Sequence, residues 1–516
     1  MPKKQAACLV LGSLCFLYLQ TFLLPCVPIY QGDNAPFFLL DAARMLRGEV
    51  IYRDFLELAF PGLPALNFLL FRVFGMRAWI PSATLVFVGL ALTQLSAHIA
   101  RRVVSGPSIF LPSVAYLTLA IGNAPDDTHH WFSILACMGA VAALLEDRRP
   151  VRVVLAGALC GIATCFTQSR GVSAVSALAA FLLWEGHAQR LGHRWWMKRL
   201  LGLLASCGFV IILVLAGFVW RAGWATFSYC TFGFVAKYYS FFHRNNLSVF
   251  MVDMPVFGSL LLSIPALAVW LFINLLAPLV YLLFLVRWWR NRERNPQPLS
   301  SRLMLINLMG LAFFVSIASA PNWIRVASSA LPGLILLAWF LDAPGKLKRM
   351  ARWTLWGVSL GTGIVTPMIT QLTAQGPLQT PTGRVAVVDA DRYEKYRWLL
   401  PHASPNQYVV DAGSGDAYFL LKLQDPAPVP FLTLSAYTRP EQVSALLNTL
   451  GRQKAQYIIW PVELDLPRFS NRGSDPLGPL RAYMRKNYLV VRTFSDGAQV
   501  WQRKQQTPAE ARTRLG

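Results

Sequence analysis

Charged residues are scarce in this sequence, and acidic residues are the scarcer kind. Only 14% of its 516 residues are charged, with 25 Asp and Glu against 48 Lys and Arg, whereas 55% are hydrophobic. Soluble globular proteins of this length carry about 25% charged residues and fewer apolar ones. The composition therefore excludes a soluble protein and predicts one that crosses a membrane many times.

Paired cysteines are lacking as well. The eight cysteines lie in or beside apolar segments, with no CxxC pair and none in the polar C-terminal region. Cysteines in such positions are typical of small buried side chains. We therefore expect neither a disulfide framework nor a cysteine metal site.

The basic residues give a net charge of +23 and form short clusters between apolar runs. Clusters of this kind mark cytoplasmic loops, so they predict membrane topology and no nucleic-acid partner. Eleven apolar runs are candidate transmembrane helices. They are residues 6–26, 80–100, 109–122, 131–145, 151–166, 172–184, 200–220, 256–286, 303–319, 326–341 and 353–374.

Counting from a cytoplasmic N-terminus places all the basic clusters on the cytoplasmic side. These clusters are residues 101–102, 148–152, 187–199, 287–302 and 346–352. The polar region 376–516 then lies outside. Its short apolar runs alternate with helix-like patterns, which predicts a small α/β domain after a membrane domain of residues 1–375. We expect the polar residues from about 505 to be disordered.

The first outside loop, residues 31–75, is unusually rich in charge for a segment between two spans. Pro36 favours the start of a helix that Gly48 can end. In that helix Asp41, Arg44 and Arg47 share one side, and apolar residues cover another. The pattern predicts a helix along the membrane interface with its polar side away from the lipid.

The same loop carries a family resemblance. It has an early Asp33, a helix reading D-A-A-R-x-L-x-G, a Y-R-D-F step, a P-G step and an apolar helix closing on F-G. This order resembles the GT-C class of polyprenyl-phosphate-dependent glycosyltransferases, in particular bacterial relatives of protein mannosyltransferases and of the lipid A aminoarabinose transferase. The resemblance implies a GT-C-like helical membrane bundle, with Asp33 at the position of the catalytic carboxylate. Many relatives have Asp-Glu there, whereas this chain has Asp33-Asn34.

Transfer of a sugar from a lipid phosphate to a hydroxyl requires a base for the acceptor proton and cations for the leaving phosphate. We expect Asp33 to be the base, although an Asp before a helix also acts as a cap. Asp54 is a second candidate. Its alternative role is a structural ion pair with Arg53 or Arg44.

The second outside loop brings two acids and two histidines close together: Asp126, Asp127, His129 and His130. Three roles are compatible with them, namely contact with substrate, binding of a divalent metal, and a solvated loop. Their spacing matches no specific ligand pattern, so the sequence does not require a metal, and the cofactor is left open.

Four cations lie in loops where the positive-inside rule does not place them: Arg170, Lys237, Arg244 and Arg325. They are candidates for binding the donor phosphate, because guanidinium and ammonium groups pair with phosphate oxygens. Arg325 can also be an anchor at the membrane interface. Tyr238 belongs to the aromatic stretch 229–244, which suits either sugar stacking or an interfacial aromatic belt.

These observations predict an inverting glycosyltransferase of the cytoplasmic membrane that acts on its outer face. The expected partners are a polyprenyl-phosphate sugar donor, a lipid, glycan or protein acceptor, and membrane lipid. The alternatives are a transporter or flippase for a lipid-linked sugar and a non-catalytic membrane assembly protein. A transporter favours charges deep in the spans and internal halves, neither of which is clear in the sequence.

Overall fold

The computed structural model describes residues 3–32, 35–242, 245, 266–267, 269–290, 298–413, 415–466 and 475–504. Helices dominate up to residue 373, and strands appear mainly after it. The predicted Asp33 and Arg244 lie outside the described residues. Everything below concerns the described part of the chain.

The first span and the first loop contain five elements. They are α1 (Lys3–Thr21), β1 (Phe22–Leu23), β2 (Val27–Tyr30), α2 (Ala35–Leu46) and α3 (Gly62–Phe74). Helix α2 has Pro36 in its first turn, as the sequence predicts. Its polar side is covered, however, because Asp41 and Arg44 are both buried.

The helical bundle follows. Its helices are α4 (Trp79–Ala100), α5 (Leu111–Ala115), α6 (His129–Leu144), α7 (Pro150–Phe166), α8 (Gln168–Ala188), α9 (His193–Ala222), α10 (Trp224–Ser228), α11 (Phe234–Tyr238), α12 (Ala277–Arg290), α13 (Leu299–Ser316), α14 (Trp323–Ser329), α15 (Leu331–Asp342) and α16 (Lys346–Thr373). Within the described residues, α4, α8, α9 and α13 are long and apolar enough to cross a bilayer. Two bent pairs, at 41° and 50°, would add one span each. The count of eleven spans stays a prediction.

Loops that the sequence assigns to the same side of the membrane contact one another. At one end of the bundle Arg102 pairs with Glu146, and Arg352 pairs with Asp342. In the same region the Arg302 guanidinium donates to backbone carbonyls of Leu145 and Arg102. The first and second outside loops meet elsewhere, where the Ala35 N–H donates to Asp126. Which side of the membrane each end faces stays a prediction.

The C-terminal region alternates helices and strands, as its sequence pattern predicts. Its elements are β3 (Gln375–Thr380), β4 (Gly383–Val387), α17 (Ala390–His402), β5 (Val409–Asp411), α18 (Asp416–Leu421), α19 (Pro440–Gln453), β6 (Tyr457–Trp460), α20 (Gly478–Asn487), β7 (Tyr488–Thr493) and β8 (Gln499–Arg503). One sheet has the order β5-β6-β8-β7, with β5 and β6 parallel.

The other sheet joins the C-terminal region to the first loop. Its order is β1-β2-β4-β3, and β2 pairs parallel with β4 through Ile29 to Ala386 and Tyr30 to Val387. Leu39 and Leu40 of α2 share a buried apolar cluster with side chains of β4 and α18. The first loop and the C-terminal region therefore pack as one layer beside the bundle.

Candidate functional site

A cavity of about 3060 Å³ opens where the first loop, the bundle and the C-terminal region meet. Its wall includes the start of the first loop, the N-terminal ends of α6 and α8, helix α14, one side of α16 and a C-terminal segment around Phe431. Four of the predicted site residues line it: Arg170, Arg325, His129 and His130. A cavity of this volume can hold a lipid headgroup together with a second substrate.

Arg170 is fully buried in the wall of this cavity. It lies in the first turn of α8, which packs closely on α7 because Gly171 has no side chain to collide with Thr164. Its guanidinium donates to the hydroxyl oxygens of Ser133 and Ser328 at 3.2 and 2.9 Å and to the His130 carbonyl at 3.3 Å. Within the described residues no carboxylate forms an ion pair with it.

Arg325 lies in α14, whose N-terminus is capped by Asn322: the Asn322 side chain accepts from the Arg325 N–H at 3.1 Å. The Arg325 guanidinium donates to the hydroxyl of Tyr239 at 2.8 Å and to the carbonyl of Ala320 at 3.1 Å. These partners are neutral too. Arg170 is fully buried, whereas Arg325 is half-buried. A buried cation that keeps its charge needs a compensating anion, so Arg170, with Arg325 in the wall of the same cavity, forms a candidate anion site.

Two serines connect the arginines. The Ser328 and Ser329 hydroxyls both donate to the Arg325 carbonyl at 2.8 and 2.9 Å, and the Ser328 oxygen also accepts from Arg170. This arrangement ties the Arg170 guanidinium of α8 to the short helix α14 that carries Arg325. Preorganised donors of this kind bind an anion without first having to reorient.

His129 and His130 begin α6, with ring centroids 4.0 Å apart. The His129 ring also packs edge-on against Phe38 of α2, at 4.9 Å. The Nδ1 of His129 is buried without a hydrogen-bond partner among the described residues. Both histidines therefore place ring nitrogens at the wall that Arg170 also forms.

The two acids of the second loop differ in their contacts. The Asp126 carboxylate accepts from the Ala35 N–H at 2.9 Å and so holds the N-terminus of α2. Asp127 is buried, and neither of its carboxylate oxygens has a hydrogen-bond partner among the described residues. Burial and the neighbouring Asp126 raise the pKa of Asp127 well above its usual range. In the described ranges no group of three or more His, Cys, Asp or Glu side chains is arranged to hold a metal.

Other predicted residues lie away from the cavity. Asp54 forms the ion pair with Arg53 at 2.9 Å, its alternative role, and its carboxylate also accepts from the Val50 N–H at 2.7 Å. The hydrogen bond from Arg53 lowers the pKa of Asp54. Lys237 is exposed, and Tyr238 lies under the Arg439 guanidinium at 4.3 Å. Within the described part of the chain, neither Lys237 nor Tyr238 lines the cavity.

Comparisons with solved structures extend over almost the whole chain. ArnT from Cupriavidus metallidurans bound to undecaprenyl phosphate is 11% identical, with a TM-score of 0.56 over 97% of this chain and 98% of that one. The Archaeoglobus fulgidus oligosaccharyltransferase tethered to an acceptor peptide is also 11% identical, with a TM-score of 0.54 over 98% of this chain and 74% of that one. The mycobacterial arabinofuranosyltransferase AftD is 14% identical, with a TM-score of 0.53 over 98% of this chain and 40% of that one. No protein-family model and no curated protein sequence matches the chain.

All three structures are membrane glycosyltransferases of the GT-C class. This chain has the GT-C fold. The fold predicted from the first loop is thereby confirmed, together with the small C-terminal sheet region. The exact number of spans is outside what this likeness tests.

In this GT-C fold the structure adds two acidic residues that the sequence did not single out. Asp41 of α2 and Glu57 of the first loop are hydrogen-bonded to each other and are 3% and 9% exposed. Glu57 lines the cavity and accepts from the Ala59 N–H at 2.6 Å. Burial raises the pKa of both carboxyl groups. The neighbouring Glu57 raises the pKa of Asp41 further, whereas the hydrogen bond with Asp41 lowers the pKa of Glu57. Sequence spacing gives no signal for this pair.

One side of α16 forms an apolar border of the cavity. Val358, Val365 and Ile369 lie on it at helical spacing, and each side chain is between 40% and 51% exposed. In a membrane protein, exposed apolar side chains of this kind are favoured by contact with hydrocarbon and not with water. The cavity therefore has a cationic wall and, on another side, a surface suited to hydrocarbon.

Proposed function

We propose that the chain is a membrane glycosyltransferase that transfers a sugar from a polyprenyl-phosphate donor to a lipid, glycan or protein acceptor on the outer face of the cytoplasmic membrane. The observation that carries this proposal is the fully buried Arg170, which lines the cavity and whose partners among the described residues are all neutral. Arg325 supplies a second guanidinium beside it. A phosphate is the anion that suits two such groups.

The apolar side of α16 suits the polyprenyl chain, because its exposed Val and Ile side chains border the same cavity as the arginines. A polyprenyl phosphate needs both features at once: cations for its phosphate and an apolar surface for its chain. ArnT from Cupriavidus metallidurans, which shares the fold, has been solved with undecaprenyl phosphate. This likeness supports the choice of a lipid-linked donor.

In the proposed reaction Asp33 removes the proton from the acceptor hydroxyl. The acceptor oxygen bonds to the anomeric carbon as the bond from that carbon to the phosphate oxygen breaks. Arg170 and Arg325 stabilise the charge on the departing polyprenyl phosphate. Attack opposite the leaving group inverts the anomeric configuration. Gly32, the residue before Asp33, lines the cavity.

Binding of radiolabelled decaprenyl phosphate to the purified chain in lipid nanodiscs tests the anion site. We expect Arg170→Gln to weaken binding at least 10-fold, because a neutral amide replaces the buried cation. Arg221→Gln, a change at the exposed end of α9, is the control and should bind like wild type. Equal binding by Arg170→Gln and wild type contradicts the proposed phosphate site.

Transfer is tested separately. Wild type receives decaprenyl phosphates that carry radiolabelled mannose, glucose, galactose or arabinose, together with an envelope lipid extract as acceptor. We expect Asp33→Ala to bind decaprenyl phosphate normally and to transfer sugar at least 100-fold more slowly. Movement of the labelled lipid between leaflets without release of decaprenyl phosphate would favour a flippase instead.

A further inference from the structure

Four aromatic rings form a continuous wall of the cavity. Phe37 belongs to α2, Phe242 follows α11, and Phe431 and Tyr437 belong to the segment between α18 and α19. Phe431 lies 5.5 Å from Phe37, 5.3 Å from Phe242 and 5.5 Å from Tyr437, to which it is almost parallel. We name these four side chains the aromatic wall. Three separate parts of the chain contribute to it.

The Asp41–Glu57 pair lies beside this wall. Glu57 lines the same cavity, and the N–H of the preceding Leu56 donates to the carbonyl of Pro428, three residues before Phe431, at 2.8 Å. Among the described residues neither acid forms an ion pair, since Arg44 is paired with Glu49 and Asp425. Glu57 is therefore a hydrogen-bonding carboxyl group, held by Asp41 and by the Ala59 N–H, at the edge of an aromatic surface.

The wall also adjoins the proposed phosphate site. The N–H of Phe242 donates to the carbonyl of Tyr239 at 3.4 Å, and the Tyr239 hydroxyl accepts from Arg325 at 2.8 Å. Phe38, the neighbour of Phe37 on α2, packs on His129 at 4.9 Å. A group attached to a phosphate on Arg325 would therefore reach the aromatic wall and Glu57.

A sugar ring is the group whose chemistry fits both features. Its C–H faces pack on aromatic rings, and its hydroxyl groups donate to a carboxylate. A hydrocarbon chain would offer no hydrogen bond to the Glu57 carboxylate, which can accept more hydrogen bonds than those from Asp41 and the Ala59 N–H. The apolar side of α16 already offers such a chain a surface without buried acids.

We propose that the aromatic wall and Glu57 form the subsite for the donor sugar, with Asp41 as a positioning residue that orients Glu57. This inference rests on the proposed function, because the phosphate on Arg170 and Arg325 places the sugar. Its consequence is that the wall and Glu57 determine which sugar the enzyme accepts. The phosphate and the lipid chain are bound by other residues.

Paired affinities test the subsite. For each variant in nanodiscs, the Kd for decaprenyl phosphate is divided by the Kd for decaprenyl phosphate carrying mannose, glucose, galactose or arabinose. In wild type we expect this ratio to be 10 or more for at least one of the four sugars. Phe431→Ala and Glu57→Gln should reduce it to below 3, with less than a twofold change in affinity for the sugar-free lipid.

Two further variants separate a sugar contact from a folding defect. Glu49→Gln removes a carboxylate of the same loop that pairs with Arg44 and Arg47 outside the cavity, and it should keep the wild-type ratio. Asp41→Asn retains a donor for Glu57 and should keep most of the ratio, whereas Asp41→Ala should lose it. Affinities are compared between variants that have the same unfolding temperature. For any other variant, the affinity is calculated from the concentration of folded protein.

The outcomes distinguish the two proposals. If Phe431→Ala and Glu57→Gln weaken the sugar-free and sugar-bearing lipids equally, the subsite is wrong while the phosphate site stands. A wild-type ratio near 1 for every sugar overturns the subsite as well. If wild type binds no decaprenyl phosphate at all, the proposed function fails, and the subsite fails with it.

Discussion

Gly32 shows how a single residue determines the position of the first loop. Its φ of +75° lies in the left-handed region that favours glycine. The Arg392 guanidinium also donates to the neighbouring Gln31 carbonyl and pairs with Asp416 at 2.9 Å. A side chain at residue 32 would meet this guanidinium, since a Cβ there lies 2.5 Å from Arg392 Nη1. The residue before Asp33 is thus held by the C-terminal region.

Gly32→Ala should therefore lower both stability and transfer. The left-handed conformation alone costs a residue with a side chain about 1–2 kcal/mol. Gly48→Ala is a matched control, because Gly48 has a φ of +96° with open space around it. We expect similar losses of unfolding temperature in both variants, but at least a 10-fold lower transfer rate only in Gly32→Ala. Equal rates per folded molecule would show that Arg392 does not position the loop.

At the level of elements, the segment 425–438 connects the C-terminal region to α2. Arg44 of α2 donates to the Ala427 carbonyl at 2.7 Å and pairs with Asp425 at 3.6 Å. The Leu56 N–H donates to the Pro428 carbonyl at 2.8 Å. This docking carries Phe431 and Tyr437 to the cavity. It also explains why α2 buries the polar side that its sequence pattern predicts to be open.

The Asp425 carboxyl makes this docking depend on pH. Burial is the main reason why the pKa of Asp425 rises to about 7. In the unfolded chain an Asp has a pKa of about 3.9. Between about pH 4 and pH 7 the folded state therefore binds more protons than the unfolded state does. Stability must then fall as the pH rises through this window. Asp425→Asn removes that term, which amounts to roughly 4 kcal/mol at most.

We expect the unfolding temperature of Asp425→Asn, relative to wild type, to increase steadily from pH 4 to pH 7. Calorimetry or intrinsic fluorescence of the purified chain measures it. Glu49→Gln, which changes another partner of Arg44, is the control and should not reproduce this pH dependence. Parallel curves for Asp425→Asn and wild type would mean that Asp425 is ionised throughout the window.

For the whole molecule, the C-terminal region is part of the core that it shares with the first loop. Strand β4 pairs with β2 of the first loop, and the Ala78 N–H donates to the Thr382 carbonyl at 3.0 Å. A shared apolar cluster includes Leu39 and Phe71 on one side and Val385, Tyr418 and Phe419 on the other. Removing the region would expose this cluster and leave the edge of β2 that faces β4 unpaired.

A chain that ends at residue 375 should therefore fail to give a monodisperse folded protein. We expect aggregation in size-exclusion chromatography and no cooperative unfolding transition. A chain that ends at Lys504 is the control and should behave like wild type, since it lacks only the polar tail that the sequence predicts to be disordered. A stable, donor-binding 1–375 protein would show that the first loop folds on its own.

The membrane character of the chain, most of its helices and several C-terminal strands follow from local sequence patterns. Apolar run length and basic clusters have a physical meaning independent of the fold, because bilayer thickness and topology impose them. Two of the short apolar runs in the C-terminal region, residues 407–411 and 456–460, lie close to β5 and β6 of the structure. Sequence patterns also indicated Arg170 and Arg325 as candidates.

Which of these residues contact one another depends on the tertiary packing. Strand β2 pairs with a segment more than 350 positions later, and no local pattern encodes such a distant partner. Asp41 and Glu57 are buried as a hydrogen-bonded pair. Asp54, in contrast, forms an ion pair away from the cavity. These outcomes depend on desolvation by the C-terminal region and by the bundle, and desolvation is a property of the packed chain alone.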